Sequence, residues 1–244
     1  VEMRAWGMTD TGLVRRENQD FYDVRTFAGY TSAVVCDGMG GAKSGNIAST
    51  LALDVFIQEV KRNYHSGLDM IGVDQILERA VKLSNFTVFD QASQFEEFEG
   101  MGTTLVAVLI RGRQAFVINV GDSRVYRVSP ANIRQITTDH SLVELMVQRG
   151  ELTREQAKSF PGKNYITRAI GTESMVQCDI FHLDLNRGDC ILMCSDGLSN
   201  LVDEQEMLFE IVHAVSRKYC CQHLLDIAKN RGAPDNVTSI LVQV

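Results

Sequence analysis

The stretch SAVVCDGMGG, residues 32–41, joins an apolar segment of β-strand character to an aspartate and three closely spaced glycines. A carboxylate at the end of a buried strand carries a large desolvation cost unless a partner offsets its charge. Glycines at such a position allow a ligand or a second backbone segment to approach closely. The stretch therefore predicts that the chain holds a charged ligand at Asp37.

The composition is that of a globular protein. The chain has 244 residues, of which 45% are hydrophobic, so we expect residues 1–244 to form one domain with a large core. No run of about eighteen apolar residues is present, and the first residues lack the basic-then-apolar order of a signal peptide. A cytoplasmic protein without a membrane anchor is expected. Six cysteines without a C-x-x-C spacing predict buried free thiols rather than disulfides or a zinc site.

The charge balance argues against nucleic acid as a partner. The formal net charge is −7 at pH 7, and no basic stretch is long enough to neutralise several phosphates. Most of the 31 acidic residues are expected on the solvated surface. The acidic residues that are informative about function are those that flank apolar segments.

The hydrophobic periodicity predicts groups of strands and pairs of helices. Strands are predicted at 3–9, 21–27, 31–36, 103–110, 114–120, 124–128, 133–137, 190–195 and 237–244. Helices are predicted at 44–64, 73–92, 203–216 and 219–231, with a polar, helix-forming insert at 142–159. Short turns join neighbouring strands, and helices precede and follow the strand-rich middle. This order favours an α+β protein of antiparallel sheets covered by helices, not a regular β-α-β alternation.

Aspartates stand at the ends of several predicted strands. Five of them flank apolar segments that lie far apart in sequence: Asp20, Asp37, Asp122, Asp196 and Asp235. Strand ends of stacked sheets can converge, and converging carboxylates repel one another unless cations or protons neutralise them. Oxygen ligands favour hard divalent ions such as Mg²⁺ or Mn²⁺. Taken singly, each aspartate is more commonly a turn residue that caps backbone amides; their joint occurrence predicts the metal site.

Other chemistries fit the sequence less well. DGMGGAKS, residues 37–44, resembles a phosphate-binding loop, but that motif needs glycine where Asp37 and Ala42 stand. Lys43 is then expected as an exposed residue of a first helical turn. Ser195 lacks a G-x-S-x-G context and is expected to be a strand-end hydroxyl rather than a nucleophile. The five histidines lack metal-type spacing and are expected to pack or to face solvent.

Eight segments resemble the successive motifs of the metal-dependent serine/threonine protein phosphatases, the type 2C or PPM family, in its compact bacterial form. In family order they are TDTGLVRRENQD, CDGMGG, MGTTLVAVL, NVGDSRVY, TTDHSLV, NYITRAIG, MCSDGLSN and APDNVTSILV. The resemblance covers nearly the whole chain. It implies a four-layer α-β-β-α sandwich, in which helices flank two antiparallel β-sheets and a two-metal site lies between the sheets. It also implies a flap subdomain at about residues 140–170.

The resemblance also implies roles for single residues. The residue matching Asp37 bridges two Mn²⁺ or Mg²⁺ ions, and the arginine matching Arg15 binds the substrate phosphate, whereas Arg16 is expected to point into solvent. The other ligands implied for the two ions are Asp20, the carbonyl of Gly38, Asp196 and Asp235. A third, weaker metal ion is implied at Asp122 and Asp196. The implied reaction is hydrolysis of phosphoserine and phosphothreonine by direct attack of a water or hydroxide that bridges the two metals.

The resemblance makes phosphorylated proteins the expected partners, in particular a Ser/Thr protein kinase and its targets, and a monomer is expected. Met39 stands where eukaryotic relatives carry a histidine proposed as general acid. Ala42 and Phe160 stand where many bacterial members carry histidine, so pH optimum and substrate preference do not transfer. Two alternatives stay open: a catalytically silent phosphatase-fold signalling module, and a metal-dependent nuclease or nucleotidase, although the chain lacks basic or aromatic platforms for nucleic acid.

Overall fold

The computed structural model describes residues 3–27, 29–41 and 44–244. Their strands are β1 (Arg4–Asp10), β2 (Asp20–Phe27), β3 (Tyr30–Met39), β4 (Gly102–Thr103), β5 (Leu105–Arg111), β6 (Gln114–Val120), β7 (Arg124–Ser129), β8 (Asn132–Gln135), β9 (Asp179–Asp184), β10 (Cys190–Cys194) and β11 (Val237–Gln243). Their α-helices are α1 (Ser44–Asn63), α2 (Met70–Gln94), α3 (Leu142–Gln148), α4 (Arg154–Lys158), α5 (Asp196–Ser199), α6 (Glu204–Val212) and α7 (Cys220–Asn230). Ala42 and Lys43, considered above for a phosphate-binding loop, lie outside the described residues.

The strands form two antiparallel sheets. One has the order β1-β11-β10-β7-β8, and the other has the order β2-β3-β5-β6-β9 with β4 paired to β3. In the first sheet β1 pairs with β11 along its whole length, from Arg4 opposite Gln243 to Asp10 opposite Val237. Segments from the two ends of the sequence are therefore neighbours at one edge of this sheet.

Three apolar layers hold the sheets and helices together. Phe56 on α1 belongs to a cluster with Phe116 on the second sheet, and Leu224 on α7 belongs to a cluster on the first sheet. A third cluster, which includes Val35 and Ile240, lies between the two sheets. Both faces of β3 are thus buried, which explains why its sequence is a continuous apolar run. The order helix, sheet, sheet, helix confirms the predicted four-layer sandwich.

Some elements differ from the prediction. The sequence does not predict β9, because DIFHLD mixes charged and apolar residues and its side chains are half-buried or exposed, as suits the edge of a sheet. The polar insert forms two short helices, and the capping residues Ser141 and Thr153 accept hydrogen bonds at their starts. Helix α6 ends at Val212 rather than at residue 216, because the chain turns there toward a 3₁₀ turn at Arg217–Tyr219.

Two predictions from composition can be compared with the structure. The six cysteines are free thiols, and all are buried except the half-buried Cys178. No helix within the described ranges combines the length and the apolar character needed to cross a bilayer.

Candidate metal centre and phosphate site

Two of the predicted metal ligands lie opposite each other on neighbouring strands. Asp20, the first residue of β2, pairs with Asp37 near the end of β3 in antiparallel register. Residues paired in this way have Cβ atoms about 4.5–5.5 Å apart, and like charges at such positions destabilise the sheet. The strand register itself therefore creates a position that needs a cation or a proton.

The carboxylate of Asp20 is held in a fixed orientation. Asp20 is only 2% exposed, and its Oδ2 accepts hydrogen bonds from Ser195 Oγ at 2.8 Å and Thr238 Oγ1 at 2.6 Å. Burial raises the pKa of Asp20 to about 6, against the effect of the two hydroxyls and with a further contribution from the charge of Asp196. Ser195 thus lies at the strand end as predicted, and its hydroxyl proton is engaged by Asp20.

The backbone at Asp37 and Gly38 is also fixed. The N–H of Asp37 donates to Thr104 Oγ1 at 2.9 Å, and its carbonyl accepts from Thr103 Oγ1 at 3.0 Å. A Cβ atom at Gly38 would overlap the carbonyl of Gly45 in the first turn of α1. Glycine is therefore required for α1 to begin so close to the end of β3.

The remaining predicted ligands lie at other strand ends. Asp122 follows β6, Asp196 follows β10 at the start of α5, and Asp235 precedes β11. Burial, and then the charge of Asp20, raises the pKa of Asp37 well above its ordinary value. Burial followed by the charge of Asp196 does the same for Asp122, and burial followed by the charge of Asp235 raises the pKa of Asp196. The structure thus brings the five aspartates into one electrostatic cluster.

Some carboxylate oxygens of this cluster are available to bind a ligand. Among the described residues, three buried carboxylate oxygens of the cluster lack a hydrogen-bond partner: Asp20 Oδ1, Asp122 Oδ1 and Asp196 Oδ1. A buried carboxylate oxygen without a partner is costly, and it is the donor type that Mg²⁺ and Mn²⁺ prefer. Within the described parts of the chain, no three His, Cys, Asp or Glu side chains form a complete metal-binding group. The unpartnered carboxylate oxygens of the cluster, together with a neighbouring backbone carbonyl and water, are the oxygen donors that suit a hard divalent ion.

Arg15 borders the cluster from the loop between β1 and β2. Its Nη2 donates to Asp235 Oδ2 at 2.9 Å, while 55% of the side chain stays exposed. A guanidinium has five N–H donors, so most of them remain available to an incoming anion. The neighbouring Arg16 is exposed, as predicted.

A cleft of about 710 Å³ opens beside the cluster. Its lining includes Asp122 and Asp196, residues of α3 and α4, and the chain from α5 into α6. The segment 140–170, predicted as the flap, contains α3 and α4 and returns to the second sheet through a bridge between Thr103 and Ile170.

Two functional candidates are missed by the sequence reasoning. His140, 7% exposed, accepts a hydrogen bond from the Gly121 N–H at Nδ1 (3.0 Å), and its Nε2 lies 3.0 Å from Asp179 Oδ2. Burial lowers its pKa, which favours the neutral ring. Asn236, 4% exposed, binds the loop that carries Arg15. The sequence signals available for these two residues are the dipeptides Asp139-His140 and Asp235-Asn236. Neither dipeptide reveals the distant residues to which the side chains hydrogen-bond.

The protein combines a two-sheet sandwich, helices on both sides and an acidic cluster at converging strand ends. This combination is typical of one class of hydrolases. The sequence profile named Protein phosphatase 2C matches residues 14–226, and the chain belongs to this family. The serine/threonine phosphatase stp of Listeria welshimeri is 34% identical over 244 residues, covering 99% of this chain and 96% of the relative.

Solved structures agree with this assignment. The serine/threonine phosphatase of S. agalactiae matches with a TM-score of 0.93 and 32% identity over 100% of both chains. The catalytic domain of the phosphatase PstP, in complex with two manganese ions, matches with a TM-score of 0.84 and 31% identity over 99% of this chain and 97% of that one. These comparisons confirm the predicted family, fold and enzyme class, a metal-dependent serine/threonine protein phosphatase.

Proposed function

We propose that the protein removes phosphate from phosphoserine and phosphothreonine of other proteins at the aspartate cluster, with two Mn²⁺ or Mg²⁺ ions. The observation that carries this proposal is the group of unpartnered, buried carboxylate oxygens close to an exposed arginine. The proposed ligands are Asp20, Asp37, the carbonyl of Gly38, Asp196 and Asp235, with a third, weaker ion at Asp122 and Asp196. When bound, such ions lower the pKa of water and offset the charge of a phosphate group.

The chain's own residues bind and orient the substrate. Arg15 would hold the phosphate through two parallel N–H donors, while its present contact with Asp235 keeps the guanidinium at the edge of the cluster. Ser195 and Thr238 engage one oxygen of Asp20 and leave the other for a cation. Because Ser195 already donates its proton to Asp20, a water molecule rather than this hydroxyl is the proposed nucleophile.

The surroundings of the cluster define the proposed substrates. We propose that the cleft of about 710 Å³ lined by Asp122 and Asp196 receives the peptide on either side of the phosphorylated residue, with the segment 140–170 as the flap. Since the relatives are named serine/threonine phosphatases, we propose a Ser/Thr protein kinase and its targets as partners. We further propose that residues 1–244 act as one domain, as a monomer, in the cytoplasm.

Hydrolysis assays test this function. A phosphothreonine peptide, a small aryl phosphate and single-stranded DNA would each be offered with Mn²⁺ and with chelator. Phosphate release is expected from the first two substrates only, and only with Mn²⁺, because the metal-free carboxylates repel an anion. Inactivity toward all three would indicate a silent signalling module, and cleavage of DNA would indicate a nuclease.

Arg15→Ala tests the phosphate site. We expect the KM for the aryl phosphate to rise roughly 10-fold to 100-fold, because a charge-assisted bidentate contact is lost. Arg16→Ala, a matched change in a neighbouring exposed arginine, should leave KM unchanged. An unaltered KM in Arg15→Ala would contradict the assignment.

A further inference from the structure

The loop that carries Arg15, residues 11–19, is called the arginine loop here. It joins β1 to β2 without helix or strand structure, and residues 13–17 are exposed. For Arg15 to bind phosphate, this exposed loop must hold the long, charged arginine side chain at one position. Ordering a mobile loop on binding costs conformational entropy in addition to that of the arginine side chain, so a loosely held loop would bind an anion weakly.

One buried side chain, that of Asn236, holds the arginine loop at both ends. Its Nδ2 donates to the carbonyl of Thr11 at 2.8 Å and to the carbonyl of Glu17 at 2.9 Å. Its Oδ1 accepts from the N–H of Gln19 at 2.9 Å. These three hydrogen bonds span the segment in which Arg15 lies, although Asn236 is more than 200 positions away in the sequence.

The hydrogen-bond pattern requires an amide at position 236. Both Nδ2 protons point at carbonyl oxygens, and Oδ1 faces an N–H group, so only one orientation of the amide satisfies all three partners. A carboxylate of the same shape would face two carbonyl oxygens without a proton to donate. A smaller side chain would remove the hydrogen bonds to the carbonyls of Thr11 and Glu17 and from the N–H of Gln19, which hold the loop.

Asn236 also adjoins the residues around Arg15. Its backbone N–H donates to Asp235 Oδ1 at 2.8 Å, and Asp235 Oδ2 accepts from Arg15. A Cβ atom at Gly197 would overlap the carbonyl of Asn236, so glycine lets this segment pack against the start of α5 beside Asp196. The backbone of Asn236 therefore orients the carboxylate partner of Arg15, and its side chain orients the loop.

We infer that Asn236 is a positioning residue for phosphate recognition, acting through Arg15. This inference rests on the proposed role of Arg15. The carbonyl of Gln19, at the end of the loop next to Asp20, is held separately by the N–H of Gly38 and by Ser49 Oγ. Loss of the Asn236 side chain therefore loosens the arginine end of the loop and leaves the end next to Asp20 in place.

The test compares Arg15→Ala, Asn236→Ala and the double variant in the full chain with Mn²⁺. KM and kcat for an aryl phosphate and the inhibition constant of inorganic phosphate would be measured. We expect Asn236→Ala to raise KM and the phosphate inhibition constant about tenfold, with kcat changed much less. The double variant should be no worse than Arg15→Ala, because the two changes remove the same contribution.

Asn85→Ala is the matched control. Asn85 is a buried amide of the same kind that holds the segment at Gly171 and Glu173, away from Arg15. It should lower the thermal midpoint without raising the phosphate inhibition constant. If Asn236→Ala does not fold, Asn236→Ser replaces it in the test. Because the serine hydroxyl can keep one hydrogen bond, its KM is expected to rise less than about tenfold.

The outcomes separate the inference from the function on which it rests. If Arg15→Ala leaves KM unchanged, the proposed phosphate site is wrong. If Arg15→Ala raises KM while Asn236→Ala does not, or if their effects multiply in the double variant, the positioning role of Asn236 is overturned. A fall in kcat alone in Asn236→Ala would likewise overturn it.

Discussion

At the scale of single residues, Asp37 is a carboxylate surrounded by other carboxylates. Burial, and then the charges of Asp20 and Asp196, raises its pKa well above the ordinary range. Asp37→Asn keeps the shape and removes the charge. We expect this variant to lose phosphate release while its metal-free form gains about 1 kcal/mol of stability, or roughly 2–4 °C in thermal midpoint. Thermal unfolding in chelator and a phosphate-release assay with Mn²⁺ measure the two effects.

The control for this prediction is an aspartate outside the cluster. Asp184, exposed at the end of β9, can be changed to Asn with the same loss of charge. That variant should keep its activity and its thermal midpoint. A metal-free Asp37→Asn protein that unfolds at a lower temperature than the parent would contradict the view that the cluster destabilises the fold without cations.

At the scale of elements, His140 ties the segment that contains α3 and α4 to the second sheet. Its Nδ1 accepts from the buried Gly121 N–H, so Nε2 carries the proton and donates to Asp179 on β9. Asn places an acceptor near the position of Nδ1, and Gln places a donor near the position of Nε2. The two variants therefore each keep one of the two hydrogen bonds.

The expected losses in free energy of unfolding rank these two variants. His140→Gln leaves the buried N–H of Gly121 without a partner, which costs about 1–3 kcal/mol. His140→Asn gives up only the contact with Asp179, a half-exposed carboxylate that retains Arg168 and water, so it should cost less than about 1 kcal/mol. Denaturant unfolding of both variants measures the difference, and the reverse ranking would show that Asp179 is the main anchor.

At the scale of the whole molecule, the cluster makes stability depend jointly on pH and metal. The folded protein keeps protons on carboxyl groups that the unfolded chain releases near pH 4, because the pKa of Asp20 is raised to about 6 and those of Asp37, Asp122 and Asp196 are raised as well. This contribution is fully present below about pH 4 and is lost as the pH rises through about 6 and beyond.

Metal binding should reverse this trend, since cations replace the protons. We expect Mn²⁺ to raise the thermal midpoint more at about pH 8 than at about pH 5. Melting curves with chelator and with Mn²⁺ at both values provide the measurement. Equal stabilisation at the two pH values would mean that the ions bind away from the titrating carboxylates.

The sequence predicts those parts of the site that have a local signal. Asp37 and Asp196 each follow an apolar run, and an acidic residue in that position is unusual enough to be recognised. Asn236 gives no such signal, because its partner Thr11 is 225 positions away and becomes a neighbour only when β1 and β11 pair. The sequence does not predict strand β9, because pairing with its sheet neighbour β6, rather than its own hydrophobic pattern, stabilises it.

The pairing of β1 with β11 also affects how the protein is made. Asp20 leaves the ribosome early, yet the hydroxyl of Thr238 that holds its carboxylate is translated 218 positions later. Until then β1 lacks the strand beside it, and Asp235 has not been added to the polypeptide. The aspartate cluster on a growing chain is therefore incomplete until β11 has emerged from the ribosome and paired with β1.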